Sequence, residues 1–442
     1  MMQRVVRGRR LLSSEAVSYA SLETGVMAAA QSFGGPIGSV GVTIGVGSRS
    51  ETAETNGVNA VVHSAALSEA KVAIAKLGGT VSGSYGRESS SLVATVQKGS
   101  LKEAAMALSA IAGKVPSLAA FQEAKASVLR SIAANKIPDS EAAIIEEMQQ
   151  CAYLDTQLGA PASGTEESVS NLSQNDVEAW LAKMGMSPVF AATAGGSEAE
   201  IIEAFAPLKK KTETSQALTT TPTLGAIFTG SDKKMYYESL PAVRFCIGYE
   251  FPSLGTEHAA ACRMLPYLLA PPAAAAQSAL YEPFNSHVKL TRDHAEVKCA
   301  YSSMPFYLPF TDSALFGITC TSPDVKTEDC AWYTCNNLVR LCYEVSQSEL
   351  DRAKLAFQAD LLKSMASPSN LVTAYLDDLR LIGRVVPPAE LIKRTQDLEL
   401  KAIKDLAYTF IHDCDHAMAG VGPIHELPDY NWIRTASYNY HY

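Results

Sequence analysis

Residues 39–47 read SVGVTIGVG. Val40, Val42 and Ile44 alternate with small or hydroxyl residues, the period-two pattern of a strand with one face turned inward. A polar turn, GSRSETAETNG, runs from Gly47 to Gly57. Beyond it, Val58, Val61, Val62, Ala65 and Ala66 recur at helical spacing, which predicts a helix from about Val58. A second strand follows at 91–97 (SLVATVQ), then helices over 101–113 and 117–134, parted by Pro116.

The same order returns further along. Segment 243–249 (VRFCIGY) reads as a strand, 255–269 as a helix and 315–321 (LFGITCT) as a strand, followed by paired helices over 327–345 and 348–366. Gln122-Glu123-Ala124-Lys125 leads into Val128-Leu129, and Leu350-Asp351-Arg352-Ala353-Lys354 leads into Leu361-Leu362. One unit used twice accounts for the 442 residues and for their order. Strands grouped with long helices, without strict βαβ alternation, predict an α+β fold of two homologous domains. Each domain is expected to be a mainly antiparallel sheet with helices on one face. The expected boundaries are 22–208 and 224–442, joined by a polar, Thr-rich linker over 209–223 (KKKTETSQALTTTPT).

Composition narrows the function. Hydrophobic residues make up 47% and charged residues 19%, enough apolar material for real cores. The formal charge of -9 argues against nucleic acid as the main partner, since phosphate binding needs a basic footprint. Prolines 266, 271 and 272 interrupt the most apolar stretch, 264–279, so no bilayer span is expected. The nine cysteines form no CxxC pair and read as buried free thiols of a reducing compartment. The first residues differ from the rest. Arg4, Arg7, Arg9 and Arg10 stand among apolar and hydroxyl residues with no acid before Glu15. That pattern predicts a mitochondrial transit peptide over 1–12, cut after Leu12.

Several motifs together resemble the pitrilysin-like (M16) metallopeptidase family. Gly47-Ser48-Arg49-Ser50-Glu51 with Asn56-Gly57 is similar to its GSR-x-E…NG entry, and Leu77-Gly78-Gly79 through Gly86-Arg87-Glu88 to its GG…RE segment. Tyr153 through Gly159, Gly164-Thr165-Glu166-Glu167 and Asn171-Leu172-Ser173 resemble the stretch closing the first domain. Glu349 to Leu362 resembles a paired helix of the second. Val421-Gly422-Pro423, Leu427-Pro428-Asp429-Tyr430-Asn431 and Arg434 resemble the family's C-terminal motif. The resemblance implies two halves related by a pseudo-twofold and enclosing a cavity.

In this family an H-x-x-E-H helix and a later glutamate hold zinc. Ligands at i and i+4 face the same way, so two imidazoles converge on one ion while the intervening glutamate reaches its water. By resemblance, the ligand positions here hold Ala60 and Ser64, the base position holds His63, and the later glutamate falls at about Ala142, beside Glu141. The turn from Leu67 to Lys76 is short for an active relative. The expectation is no catalytic, cofactor or metal residue at all, and no cofactor. A second His pair, His412-Asp413-Cys414-Asp415-His416, reads as a solvated turn before the apolar strand 417–421.

The resemblance then leaves two functions open. One is a non-catalytic structural core subunit of mitochondrial ubiquinol–cytochrome c reductase (complex III), peripheral on the matrix side of the inner membrane. Its partners would be a homologous second core subunit, cytochrome b, cytochrome c1 and the Rieske iron–sulfur subunit. The alternative is the non-catalytic, presequence-binding subunit of the mitochondrial processing peptidase. That subunit's glycine-rich loop is replaced here by an apolar, proline-stiffened segment, 269–277.

Overall fold

The computed structural model describes residues 18–21, 26–154, 156–205, 225–270 and 288–439. The expected transit peptide, the 209–223 linker and all but the start of the 269–277 segment lie outside them. In chain order the first part holds strands β1 (Ser18–Ser21), β2 (Val26–Gln31), β3 (Ile37–Ile44), β4 (Thr80–Tyr85), β5 (Ser90–Gln97) and β6 (Val189–Ala194). Its helices are α1 (Val58–Ala75), α2 (Leu101–Ile111), α3 (Leu118–Ala134), α4 (Glu141–Ala152), α5 (Glu166–Asn171), α6 (Gln174–Met184) and α7 (Glu198–Phe205). The second part holds strands β7 (Asp232–Tyr236), β8 (Val243–Phe251), β9 (Ser302–Pro309), β10 (Ala314–Ser322) and β11 (Ala417–Gly422). Its helices are α8 (Ala259–Leu269), α9 (Lys289–Val297), α10 (Thr327–Tyr343), α11 (Gln347–Met365), α12 (Pro368–Ile382), α13 (Pro388–Gln396), α14 (Leu400–Phe410) and α15 (Tyr430–Ala436).

Two sheets result, and five strands of the first match the five of the second in order, β1 being an added edge strand paired antiparallel with β2. One runs β1-β2-β6-β3-β5-β4 and the other β7-β11-β8-β10-β9. In each, a single parallel pair (β2 with β6, β7 with β11) is followed by antiparallel pairs only. The fold is α+β, and the repeated order read from the sequence is a repeated sheet.

Two corrections concern what covers the sheets. The compact units are not the contiguous halves 22–208 and 224–442. The first unit combines residues up to 134 with 160–223 and 361–390; the second takes 135–159, 224–360 and 391–442. Nor are helices confined to one face. In the first unit, Val40, Val42, Leu92 and Val96 face one core with Leu101, Ala105 and Leu108 of α2. On the opposite face Val93, Phe190 and Ala192 meet Val372, Tyr375 and Leu376 of α12. In the second unit, α4 fills the corresponding role, laying Ile144 and Met148 against Cys246, Leu315 and Ala419. A sheet inside the protein has two apolar faces, and each helix that follows a paired-helix segment covers one of them.

This arrangement explains Gly41, the first glycine of SVGVTIGVG. A Cβ on Gly41 would lie 2.8 Å from Val372 Cγ1 and 2.9 Å from Leu376 Cδ1, so the bare backbone admits α12. Gly248 on β8 plays the same part, with Met148 Sδ 2.7 Å from its would-be Cβ.

Candidate functional site

The site to test is the N-terminal half of α1. Its entry turn is built by Glu51. One carboxylate oxygen accepts from the backbone N–H of Asn59 at 2.7 Å; the other accepts from Gly57 N–H at 2.8 Å and Asn56 Nδ2 at 2.9 Å. A carboxylate here meets the orphan donors and the positive end of the helix dipole. Burial pushes the Glu51 carboxyl above its usual range, against the lowering pull of those hydrogen bonds. Asn56 also donates to Pro161 O at 3.1 Å, and Ser168 Oγ donates to Asn56 O at 2.8 Å. Gly57 sits at φ 94, the left-handed region. The GSR-x-E…NG motif is thus a capping device in this chain.

Its arginine does equally structural work. Arg49 donates to Glu88 Oε1 at 2.7 Å, and Arg380, from α12, donates to Glu88 Oε2 at 3.0 Å. All three side chains are largely buried. The two sequence motifs that carry Arg49 and Glu88 are tied by one carboxylate to the covering helix.

Past the turn, Ala60 is fully buried and packs among Val61, Phe121, Ala124 and Val128. His63 is buried too, its ring 5.4 Å from Tyr85, and Nε2 has no hydrogen-bond partner. Burial lowers its pKa to about 4, so the imidazole is neutral at physiological pH. A Cβ on Gly83 would come within 2.8 Å of His63 Nε2. One turn earlier, Asn59 Oδ1 accepts from Ser90 Oγ at 2.8 Å, while Asn59 Nδ2 is unpartnered. These side chains line a cavity of about 30 Å³, together with Val62, Leu92 and Met184. That is room for about one water molecule.

These residues do not fit the family's zinc ion. At the positions that the motif resemblance marks as ligands, Ala60 offers a methyl group and Ser64 a hydroxyl, neither a donor of the kind zinc takes. The expected carboxylate near 141–142 is also displaced. Glu141 opens α4, which belongs to the second unit. The helix alongside α1 is α3, and the side chains it buries there are Phe121, Ala124 and Val128.

The other His pair is held apart. Arg434 donates to Asp413 Oδ1 at 2.6 Å, to Asp413 O at 2.7 Å and to Asp415 Oδ1 at 3.2 Å; Tyr430 donates to Asp415 Oδ1 at 3.1 Å. The C-terminal LPDYN…R motif is therefore a clamp on the 412–416 loop. His412 stacks on Tyr408 at 4.4 Å, whereas His416 stacks on Tyr430 at 4.3 Å. Asp413 and Asp415 are solvated as expected, but His416 is completely buried, and burial lowers its pKa to about 4. The two imidazoles serve separate aromatic partners.

Two sheets of matching order, each met by a helix from the other part of the sequence, are the frame against which known proteins compare. The family model for the peptidase M16 inactive domain matches residues 197–357. The chain is homologous to mitochondrial processing peptidase β subunits and to subunit 1 of the cytochrome b-c1 complex. It is 26% identical over 310 residues to a probable mitochondrial-processing peptidase subunit beta of Arabidopsis thaliana, covering 67% of this chain but only 56% of that relative. It is 22% identical over 440 residues to cytochrome b-c1 complex subunit 1 of Rattus norvegicus, covering 94% of this chain and 88% of the relative. A chain in the solved structure of complex III2 from Candida albicans, with Inz-5 bound, shares the fold at a TM-score of 0.81 and 20% identity, over 95% of this chain and 99% of that one. These curated relatives are mitochondrial, and among the described residues no helix is long and apolar enough to cross a membrane.

Proposed function

We propose that this chain is a structural core subunit of mitochondrial ubiquinol–cytochrome c reductase and has no peptidase activity of its own. The observation that carries the proposal is α1, which keeps its cap, position and cavity while Ala60 and Ser64 stand where zinc ligands belong. A helix maintained without its donor set serves packing, and the near full-length similarity to cytochrome b-c1 complex subunit 1 supports the same reading. On this reading the protein sits on the matrix face of the inner membrane. It pairs with a homologous second core subunit and supports cytochrome b, cytochrome c1 and the Rieske iron–sulfur subunit. The haems and the iron–sulfur cluster belong to those chains.

The similarity to a processing-peptidase β subunit supports a second reading, a presequence-binding subunit without catalysis. A net charge of -9 suits an Arg-rich presequence. Native gel separation of detergent-solubilised mitochondrial membranes decides between them. Co-migration with cytochromes b and c1 is the expected result. Recovery only as a soluble heterodimer that cleaves presequences overturns it.

A further inference from the structure

Far from α1 in the sequence, three ligand-type side chains meet in the second unit. His294, Cys299 and Cys330 are fully or almost fully buried, and their donor atoms all lie within 4.8 Å of one another. Among the described residues no other group of three or more His, Cys, Asp or Glu side chains comes together in this way. The residues have no CxxC spacing, which is why the sequence reads as isolated thiols.

Local structure creates the meeting. Helix α9 ends in a Schellman motif: Cys299 N–H donates to His294 O at 3.1 Å and Lys298 N–H to Ala295 O at 3.3 Å. Lys298 takes the left-handed position at φ 55, which a glycine usually fills. The reversal brings Cys299 back beside His294, with its thiol 3.8 Å from His294 O. Cys330 comes from the first turn of α10. Around the three stand further polar atoms. Ser303 Oγ is 2.7 Å from His294 Nδ1, Thr334 Oγ1 is 3.3 Å from His294 Nε2, and Cys320 Sγ is 3.3 Å from Thr334 Oγ1.

We propose that His294, Cys299 and Cys330 form a buried structural site for a thiophilic divalent cation of the zinc class. The donor set is the imidazole and thiolate combination such ions take, and all three residues are buried, as ligands of structural sites are. Zinc–sulfur bonds of ~2.3 Å place two thiolates ~3.8 Å apart, so the cluster closes by about 1 Å at most on loading. Binding releases one proton from each thiol, and the two thiolates neutralise the dication. A neutral complex is what a buried position tolerates. Ser303 holds the ring at Nδ1 and fixes the tautomer, and on loading the 3.3 Å contact of Thr334 Oγ1 with Nε2 gives way to the ion.

The test uses the full chain, stripped with a chelator, equilibrated with Zn²⁺ and gel-filtered. One zinc per chain and a rise in Tm are expected, with thiolate charge-transfer absorption on replacement by Co²⁺. Cys299→Ala with Cys330→Ala should lower zinc affinity at least tenfold and abolish the Tm rise. Cys335→Ala, a buried thiol on the same helix, should leave both unchanged. If the double variant does not fold, alkylation of the unaltered chain in partly denaturing urea, where buried thiols become reachable, decides: zinc should protect Cys299 and Cys330 but not Cys414. Zinc well below one per chain, equal alkylation with and without zinc, or zinc retained in the double variant overturns the proposal. Zinc lost instead in His63→Ala would place the ion on α1, and would overturn the proposed function as well.

Discussion

The two units share a sheet order yet treat a buried histidine differently. In the first, His63 leaves Nε2 unpartnered beside a water-sized cavity. In the second, His294 has Ser303 at one ring nitrogen and Thr334 at the other. Burial lowers both to about 4, at His294 against the raising pull of a hydrogen bond with the Cys330 backbone. One histidine lines a small cavity with a ring nitrogen unpaired; the other belongs to a polar network. A duplicated fold keeps its backbone plan more faithfully than the polar contents of its cores.

The largest expected difference lies in the ion pairs. Glu88→Ala removes the carboxylate shared by buried Arg49 and Arg380 and should cost about 3–5 kcal/mol in urea denaturation. Glu349→Ala, which takes away Arg340's partner in the second unit, should cost less because Glu349 is itself partly exposed. Equal losses would show that the first unit has no special dependence on its motif residues.

A smaller effect comes from pH. A histidine with a folded pKa near 4 takes its proton mainly after unfolding, near 6.5. Stability from keeping it neutral is therefore complete above pH 6.5 and is lost as pH falls through 4. His63 should contribute about 2 kcal/mol of destabilisation between pH 7 and pH 5. His63→Gln should remove that share, measured in chelator; an unchanged pH profile would mean that His63 already holds a proton.

The smallest effect compares the covering helices. Gly41→Ala drives a methyl into the stiff, β-branched Val372 and should cost about 2 kcal/mol. Gly248→Ala meets the flexible thioether of Met148 and should cost about 1 kcal/mol. Reversal of that order would assign the tighter fit to α4.

Much of this was legible in the sequence. Alternating Val40, Val42 and Ile44 gave β3, apolar spacing from Val58 gave α1, and the repeated order matched the repeated sheet. Motif resemblance located Ala60, His63 and Ser64. Other features depend on tertiary placement, which periodicity does not encode. The exchange of α4 and α12 is one, since each is amphipathic whichever sheet it covers. The displacement of Glu141 follows from that exchange. Burial of His416 required the ring of Tyr430 from a later helix. The cluster of His294, Cys299 and Cys330 needed a left-handed lysine that no propensity suggests.

The exchanged helices also set an order of events for a chain emerging from the ribosome. The first sheet keeps one greasy side, with Val93, Phe190 and Ala192, until residues 368–382 have been made. During that interval a nascent protein more than four-fifths complete still presents an uncovered strand surface, the kind that chaperones shield. Maturation of the early half is therefore timed by the late half, and a message truncated after residue 360 would yield a sticky product even though every strand of the first sheet is present.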